Sequence, residues 1–230
     1  MADGDTKLIV FDCDGTIVDS QHMILAAMAH ACGKHGFQKP DDETVRRVVG
    51  LSLFNAVKAM LPEHTDDTIE KVVADYRDAF QDLRLSNMEE PLYGGAREAF
   101  VELEDKGFLL GIATGKSGRG LRKTIENHSI ANHFVTIQTA DGNPSKPHPE
   151  MLEKAMLEAG AAPHNTIMIG DTSFDMEMSC NAKVKPLGVS WGYHPSAELT
   201  AAGACAVADV YDDIVPLVAE IFKGGASNGK

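Results

Sequence analysis

The sequence is short of basic residues. Of its 230 residues, 21 are lysine or arginine and 34 are aspartate or glutamate, so the formal net charge is −13. A chain this acidic is a poor match for nucleic acid or an anionic membrane surface, because both carry negative charge themselves. An anionic small molecule can still bind where the site supplies local positive charge. We therefore expect neither nucleic acid nor a membrane as a partner.

Cysteines and long apolar runs are also scarce. There are 4 cysteines, which lie far apart at Cys13, Cys32, Cys180 and Cys205. None forms a Cys-x-x-Cys pair, so a zinc site is not indicated, and reduced thiols are the expected state. The first residues lack the charged and apolar regions of a signal peptide, and no apolar run approaches the length of a membrane span. These features predict a cytoplasmic protein.

Residues 7–20 carry the first candidate site. The apolar run Leu8–Phe11 predicts a buried strand, and Asp12 and Asp14 follow it directly. Residues at i and i+2 of a strand point to the same side, so the two carboxylates would repel each other without a cation or a shared proton. One can serve as a nucleophile and the other as a proton donor beside a metal ion. A strand followed by a solvated Asp-Gly turn, a common hairpin signal, fits the same residues.

Residues from about 20 to 85 show the pattern of four helices and no convincing strand. Candidate caps stand at the starts of three of these helices: Asp41 or Asp42, Ser52 and Thr65. Apolar residues recur at helical spacing in the last and longest helix. We interpret residues 20–85 as an all-helical insert, placed after the first strand of a core domain formed by residues 1–19 and 86–230.

From residue 91 onward, predicted strands alternate with predicted helices. The strands are expected at 108–113, 134–139, 166–169, 186–191 and 205–208, and a last helix at 212–222. Such alternation is typical of the α/β class with a doubly wound parallel sheet. The tail, residues 223–230, is expected to be disordered.

Four polar residues lie where a predicted strand ends or a helix begins. They are Thr114, Lys146, Asp171 and Asp175. Parallel strands bring their carboxyl ends to one edge of the sheet, where ligands bind in open α/β folds. Each residue alone fits a helix cap or a solvated surface position. Their shared placement favours one functional site that also contains Asp12.

Four motifs match, in order, the signature of a known superfamily: Asp12-Cys13-Asp14-Gly15-Thr16, Thr114-Gly115, Lys146-Pro147, and Gly170-Asp171-Thr172 with Asp175. On these motifs the chain is identified as a member of the haloacid dehalogenase-like (HAD) superfamily, which has a Rossmann-like core. The helical insert and residues 188–192 resemble the phosphoglycolate phosphatase-like branch, which has an α-helical cap. The resemblance implies a phosphatase that hydrolyses a small phosphate monoester.

The resemblance also implies a role for each matched residue. Asp12 is the expected nucleophile, which attacks phosphorus and becomes an aspartyl phosphate, and Asp14 is the expected acid and base. Thr114 and the Gly115 amide are expected to bind phosphate oxygens. Lys146 is expected to neutralise charge on the nucleophile and on the transferring group.

The implied cofactor is Mg2+, which prefers a few oxygen ligands, several waters and a substrate phosphate. The implied ligands are Asp12, the main-chain carbonyl of Asp14, and Asp171, with Asp175 in support. The implied partner is a small phosphorylated metabolite, and the expected assembly is a monomer or a small homo-oligomer.

Other activities fit part of this pattern. Dehalogenases lack the second aspartate of the first motif, so Asp14 favours phosphoryl chemistry. A phosphomutase of the β-phosphoglucomutase type uses the same two aspartates and stays open, as do pyrophosphatase and nucleotidase activities. An alternative without enzymatic activity is a catalytically silent binding protein with this fold. The complete set of site residues disfavours this alternative.

Substrate specificity is expected to lie in the helical insert. The candidates for facing the substrate are His22, Arg46, Arg47 and the turn Gly50-Leu51-Ser52. They fit equally well as surface helix residues and a helix-ending loop. Phosphoglycolate, pyrophosphate, a sugar phosphate and a nucleotide monophosphate are the substrates left open.

Overall fold

We describe residues 6–86 and 88–224 from a computed structural model. The strands are β1 (Leu8–Phe11), β2 (Leu109–Ala113), β3 (Phe134–Gln138), β4 (Thr166–Gly170), β5 (Lys185–Val189) and β6 (Ala206–Ala208). They form one six-stranded sheet of order β3-β2-β1-β4-β5-β6, and all neighbouring strands are parallel. The predicted α/β class with a parallel sheet is confirmed.

The segment from residue 20 to residue 85, after β1, contains four helices: α1 (Gln21–Lys34), α2 (Asp42–Arg46), α3 (Leu53–Met60) and α4 (Asp66–Leu85). The helices that follow are α5 (Ala96–Asp105), α6 (Gly118–Asn127), α7 (Glu150–Ala159), α8 (Ser173–Asn181), α9 (Ser196–Ala201) and α10 (Ile214–Gly224). Each predicted strand and helix of the α/β part is present, with ends shifted by a few residues. Of the tail expected to be disordered, residues 223 and 224 belong to α10, and 225–230 lie outside the described residues.

Both faces of the sheet are buried, as the apolar runs of the strands require. Ile9 and Phe11 of β1 pack in one core cluster with helices α5 and α10. Leu8 and Val10 point to the opposite face and join a second cluster with α7 and α8. The two-residue period of the strand therefore places one set of side chains on each side.

The strand order reverses between β1 and β4. From β1 the chain proceeds to β2 and β3 on one side, and then to β4, β5 and β6 on the other. In open α/β sheets, ligands bind in the crevice outside the carboxyl ends of the strands at such a point. Asp12 lies there, and its N–H donates to the Ile169 carbonyl at 2.9 Å, which joins the ends of β1 and β4.

The helices α1 to α4 bury an apolar cluster that includes Ile24, Met28, Val57, Ile69 and Val72, and Tyr193, which follows β5, joins it. The all-helical character predicted for this segment is confirmed. The interpretation of residues 20–85 as a cap domain separate from the core stays a prediction. Within residues 6–86 and 88–224, every helix is too short or too polar to cross a lipid bilayer.

Two of the predicted caps are present. The Asp41 side chain accepts from the Thr44 N–H at 2.8 Å, and the Thr65 hydroxyl accepts from the Thr68 N–H at 3.4 Å. Ser52 occupies the N-cap position directly before α3, but its side chain makes no capping hydrogen bond. Its N–H donates instead to Ser145 Oγ at 2.8 Å, so this residue connects the helical segment to the loop before α7.

Candidate active site

Three buried carboxylates meet beyond the ends of β1 and β4. They belong to Asp12, Asp171 and Asp175, and one oxygen from each lies within 4.8 Å of the others. Carboxylates this close and this buried repel strongly unless a cation lies among them. Lys146 is one such cation, because its fully buried Nζ lies 2.6 Å from Asp175 Oδ1 and 3.0 Å from Asp12 Oδ1.

Hydrogen bonds hold Asp171 in place. Its Oδ1 accepts from Thr16 Oγ1 at 2.8 Å, and its Oδ2 accepts from the Tyr193 N–H at 2.9 Å. Gly15 makes this approach possible, since its φ is +83° and a Cβ there would collide with Asp171 Oδ2 and the Tyr193 ring. The glycine of the first motif is therefore needed for both its backbone conformation and its small size.

Asp175 is fixed by the start of α8. Thr172 is the N-cap residue, and its N–H and hydroxyl donate to Asp175 Oδ2 at 3.1 Å and 2.7 Å. The plainer reading of Asp171 as a helix cap is therefore wrong, because Thr172 occupies that position. The Asp12 carboxylate differs from these two, because its buried Oδ1 has no hydrogen-bond partner and makes only an ionic contact with Lys146.

The pKa values reflect this crowding. The pKa of Asp12 is raised to about 6, because burial and, to a smaller extent, Asp175 raise it more than nearby Lys146 lowers it. Burial and the other two carboxylates raise the pKa of Asp171 well above its ordinary value. Burial lowers the pKa of Lys146, but Asp12 and Asp175 outweigh this effect and hold the pKa above its ordinary value. One lysine therefore does not balance three carboxylates.

These residues fit a hard divalent cation. Three carboxylate oxygens at one point, one of them without a hydrogen-bond donor, are the ligands that such an ion prefers. The cluster can therefore hold a metal ion.

Asp14 lies apart from this cluster. β1 ends at Phe11, so Asp14 follows the strand, and its Oδ1 accepts from Ser20 Oγ at 2.5 Å and from Lys116 Nζ at 2.5 Å. Its expected part in metal binding is through its main-chain carbonyl and stays a prediction. The two aspartates of the first motif thus have different surroundings, one among carboxylates and one beside an ammonium group.

The second motif follows β2 and faces the helical segment. Thr114 is buried, and its Oγ1 accepts from the Lys116 N–H at 3.2 Å, which leaves its own proton free for a ligand. Gly115 lies against the turn at residues 50–52, since a Cβ there would meet the carbonyl oxygens of Gly50, at 2.7 Å, and Leu51. A larger residue would push this turn away from the site.

A cavity of about 350 Å³ lies between the helical segment and the carboxyl end of the sheet. Asp12, Asp14, Thr114 and Gly115 line one side of it, and the other side is formed by residues 48–54 together with parts of α1 and α4. The turn at residues 50–52 therefore lines the cavity, and its contact with a substrate stays a prediction.

The other substrate-facing candidates are wrong. His22 is exposed, and it, Arg46 and Arg47 are absent from the cavity wall. Arg46 Nε donates to Gln21 Oε1 at 2.9 Å, and Arg47 pairs with Glu198 at 2.5 Å. These contacts hold Arg46 and Arg47 away from the cavity wall.

The cavity wall contains a different set of cations: Arg77, Arg84, Lys116, Arg119 and Lys123. The sequence argument missed all five. Lys116 had a usable signal, because it follows Thr114-Gly115 directly. The other four stand on α4 and α6, where packing decides which helix face the cavity meets.

The chain is similar to known hydrolases and phosphatases over nearly its whole length. The family described as haloacid dehalogenase-like hydrolase matches residues 9–189. A probable phosphatase IndB from Dickeya dadantii is 30% identical over 96% of both chains. A phosphoglycolate phosphatase from Vibrio parahaemolyticus is 28% identical over 95% of this chain and 99% of its own. The crystal structure of a predicted phosphatase from Clostridium acetobutylicum superposes with a TM-score of 0.84, at 25% identity, over 94% of this chain and 99% of that one.

The chain therefore belongs to the haloacid dehalogenase-like hydrolase family. Within that family it is an enzyme of the phosphatase class.

Proposed function

We propose that this phosphatase uses Mg2+ and hydrolyses a small phosphate monoester through an aspartyl phosphate on Asp12. The observation that carries the proposal is the state of Asp12 Oδ1, which is buried, lacks a hydrogen-bond donor and lies 3.0 Å from Lys146 Nζ. An oxygen in this state is free to attack, and a cation beside it favours the ionised form.

In the first step, an oxygen of Asp12 attacks phosphorus, and the bond from phosphorus to the leaving oxygen breaks. Asp14 gives a proton to that oxygen. The Thr114 hydroxyl and the Gly115 amide bind phosphate oxygens, and Lys146 stabilises the charge on the transferring group. In the second step, Asp14 takes a proton from water, which attacks phosphorus and releases inorganic phosphate and free Asp12.

Asp12, Asp171, the Asp14 carbonyl and Asp175 would hold the metal ion. When bound, Mg2+ supplies positive charge that allows an anionic nucleophile and an anionic phosphate to approach each other. The protein's own part is to fix the carboxylates through Thr16, Thr172 and the Tyr193 amide.

Metal removal gives the direct test. We expect turnover of p-nitrophenyl phosphate with Mg2+ and none in EDTA, and addition of Mg2+ to the metal-free protein should raise its thermal midpoint because the ion binds only the folded cluster. Recovery of both properties on returning Mg2+ is the control. Full activity in EDTA would contradict the metal assignment.

Interconversion of sugar phosphates without net phosphate release would indicate a mutase, and no turnover of any ester would indicate a binding protein.

We further propose that residues 20–85 form a cap over the core and that the substrate carries a second anionic group, as phosphoglycolate does. The support is the charge of the cavity wall. Arg77, Arg119 and Lys123 line the cavity, and none of the three has a carboxylate partner in the described part of the chain. Unpaired cations beside a phosphate site can bind a second anion.

The double variant Arg77→Gln, Lys123→Gln tests this substrate class. We expect the KM for phosphoglycolate to rise about tenfold, since each charge-assisted hydrogen bond contributes roughly 1.5–3 kcal/mol before solvent screening reduces it. The KM for p-nitrophenyl phosphate should change little, because its leaving group is uncharged before cleavage. Steady-state kinetics on both esters provides the comparison. The matched control is Lys106→Gln, an exposed lysine outside the cavity wall. Equal changes for the two esters would contradict the proposal.

A further inference from the structure

A network of four charged side chains extends from Asp14 to Arg84 on helix α4. Lys116 Nζ lies 2.5 Å from Asp14 Oδ1 and 2.9 Å from Glu90 Oε1. Glu90 Oε2 in turn accepts from Arg84, whose Nε lies 2.8 Å away and whose Nη2 also donates to it. Two cations and two anions therefore alternate from the helical segment to the first motif, which balances the charge of the network.

The network leaves the two oxygens of Asp14 in different states. Oδ1 accepts from both Lys116 Nζ and Ser20 Oγ, each at 2.5 Å. Across residues 6–86 and 88–224, Oδ2 accepts from no donor, and Asp14 lines the cavity. Oδ1 is thus the anchored oxygen, and Oδ2 is the one that is free to pass a proton to a ligand.

Glu90 itself is held rigidly and is absent from the cavity wall. It is 7% exposed, and its carbonyl accepts from His128 Nε2 at 2.6 Å. Its partner Arg84 also donates to Thr124 Oγ1 at 2.7 Å on helix α6. Contacts on two sides therefore fix the carboxylate that holds Lys116, although Glu90 does not reach a substrate.

Loss of the Glu90 charge would free Lys116. The ammonium group has three donors, and in the described part of the chain Asp14 would be its one remaining carboxylate partner. It could then bridge both oxygens of Asp14 or turn towards an anionic substrate in the cavity. Either change would take Oδ2 out of the position in which it can exchange a proton.

We propose that Glu90 is a positioning residue: it holds Lys116 so that Asp14 presents Oδ2 to the leaving oxygen. This inference rests on the proposed function, in which Asp14 protonates the leaving group. Glu90 lies outside the four motifs and 76 positions after Asp14 in the sequence.

The test uses Glu90→Gln and compares two leaving groups. We measure the rate of enzyme phosphorylation in a single turnover, with p-nitrophenyl phosphate and with the alkyl phosphate that the wild type turns over best. The alkyl ester needs a proton on its leaving oxygen, and p-nitrophenolate does not. General acid help is worth roughly a hundred- to ten-thousandfold, so partial misplacement should slow the alkyl ester about ten- to a hundredfold. The rate with p-nitrophenyl phosphate should stay within about threefold.

Three further variants make the result decisive. Glu89→Gln changes the exposed neighbouring carboxylate and should leave both rates unchanged. Glu90→Asp keeps the charge and should recover part of the alkyl rate. Lys116→Met removes the group through which Glu90 acts and should show the same dependence on the leaving group, including in the event that Glu90→Gln does not fold.

Equal loss for both esters, or a change in KM alone, would overturn the positioning role. Asp14→Asn, run in parallel, separates this failure from failure of the proposed function. If Asp14→Asn shows no dependence on the leaving group, the acid role of Asp14 is wrong. If Asp14→Asn shows that dependence and both Glu90→Gln and Lys116→Met lack it, only the inference about Glu90 is wrong.

Discussion

Asp12→Asn should abolish phosphoryl transfer. An amide is a far poorer nucleophile than a carboxylate, and loss of the nucleophile in a covalent enzyme costs on the order of 10⁴-fold or more in kcat. No phosphoenzyme should form. The measurement is phosphate release in the steady state, together with mass spectrometry of protein quenched in acid to detect added phosphate.

Asp14→Asn is the matched comparison, because it makes the same chemical change two residues away. We expect it to form some phosphoenzyme from p-nitrophenyl phosphate, whose leaving group needs little protonation. The hydrolytic water then lacks its base, so the adduct should persist, and steady-state turnover should fall roughly a hundred- to ten-thousandfold. A stable adduct on Asp12→Asn, or one mapped to Asp14, would reverse the two roles.

Lys146→Met should produce the largest loss of stability. The Lys146 side chain is fully buried between Asp12 and Asp175, and its removal leaves three carboxylates without a protein cation. Breaking a buried ion pair from one side costs about 3–5 kcal/mol in unfolding free energy. Denaturant unfolding without metal measures this change, and phosphatase activity should be lost as well if Lys146 has its proposed role of stabilising charge on the transferring group.

The loss of stability should also depend on pH. In the wild type the pKa of Asp12 rises from 3.8 to about 6 on folding, mainly through burial, and removal of Lys146 would raise it further. Between the unfolded and the folded pKa, the folded protein binds more protons than the unfolded chain, so the free energy of unfolding falls as pH rises through this window and then levels off. The higher folded pKa of Asp12 in Lys146→Met extends this window to higher pH, so the variant should lose more stability at neutral pH than at acidic pH. Lys154→Met is the control, since Lys154 is 40% exposed and pairs with Glu150. Equal stability of Lys146→Met and the wild type would contradict the charge argument.

Local patterns predicted most of the secondary structure. The run Leu8–Phe11 is apolar throughout because both faces of β1 are buried, and such a run identifies a central parallel strand. Asp41 and Thr65 cap helices because their short polar side chains reach backbone donors three residues ahead. Local pattern locates helix ends less well: α2 ends at Arg46, although the next helix-ending signal in the sequence is Gly50.

The same patterns predicted that the site residues meet at one edge of the sheet. Parallel strands share an edge, so residues that follow β1 and β4 must be neighbours, whatever their separation in sequence. The structure accordingly places Asp12, Lys146, Asp171 and Asp175 in contact or close proximity.

The sequence did not predict which residues of the helical segment line the cavity. From the sequence, Arg46 and Arg47 fitted a substrate-facing position and a surface position equally well, and their contacts with Gln21 and Glu198 hold them outside the cavity wall. Arg77 lies on α4, and its place in the cavity wall depends on how that helix rotates and packs over the sheet. The periodicity of a helix shows which residues share a face but not which neighbour that face meets.

Thus the sequence by itself determined the parallel α/β core, the helical segment after its first strand and the residues that meet at the strand ends. These features depend on the periods of strands and helices and on parallel topology, which are local or nearly local properties of the chain. Only the tertiary structure decided that Asp14 faces Lys116 rather than the carboxylate cluster, that Glu90 and Arg84 complete its surroundings, and which cations line the cavity. These contacts join side chains that are far apart in sequence, and a short motif contains no information on its long-range ionic partners.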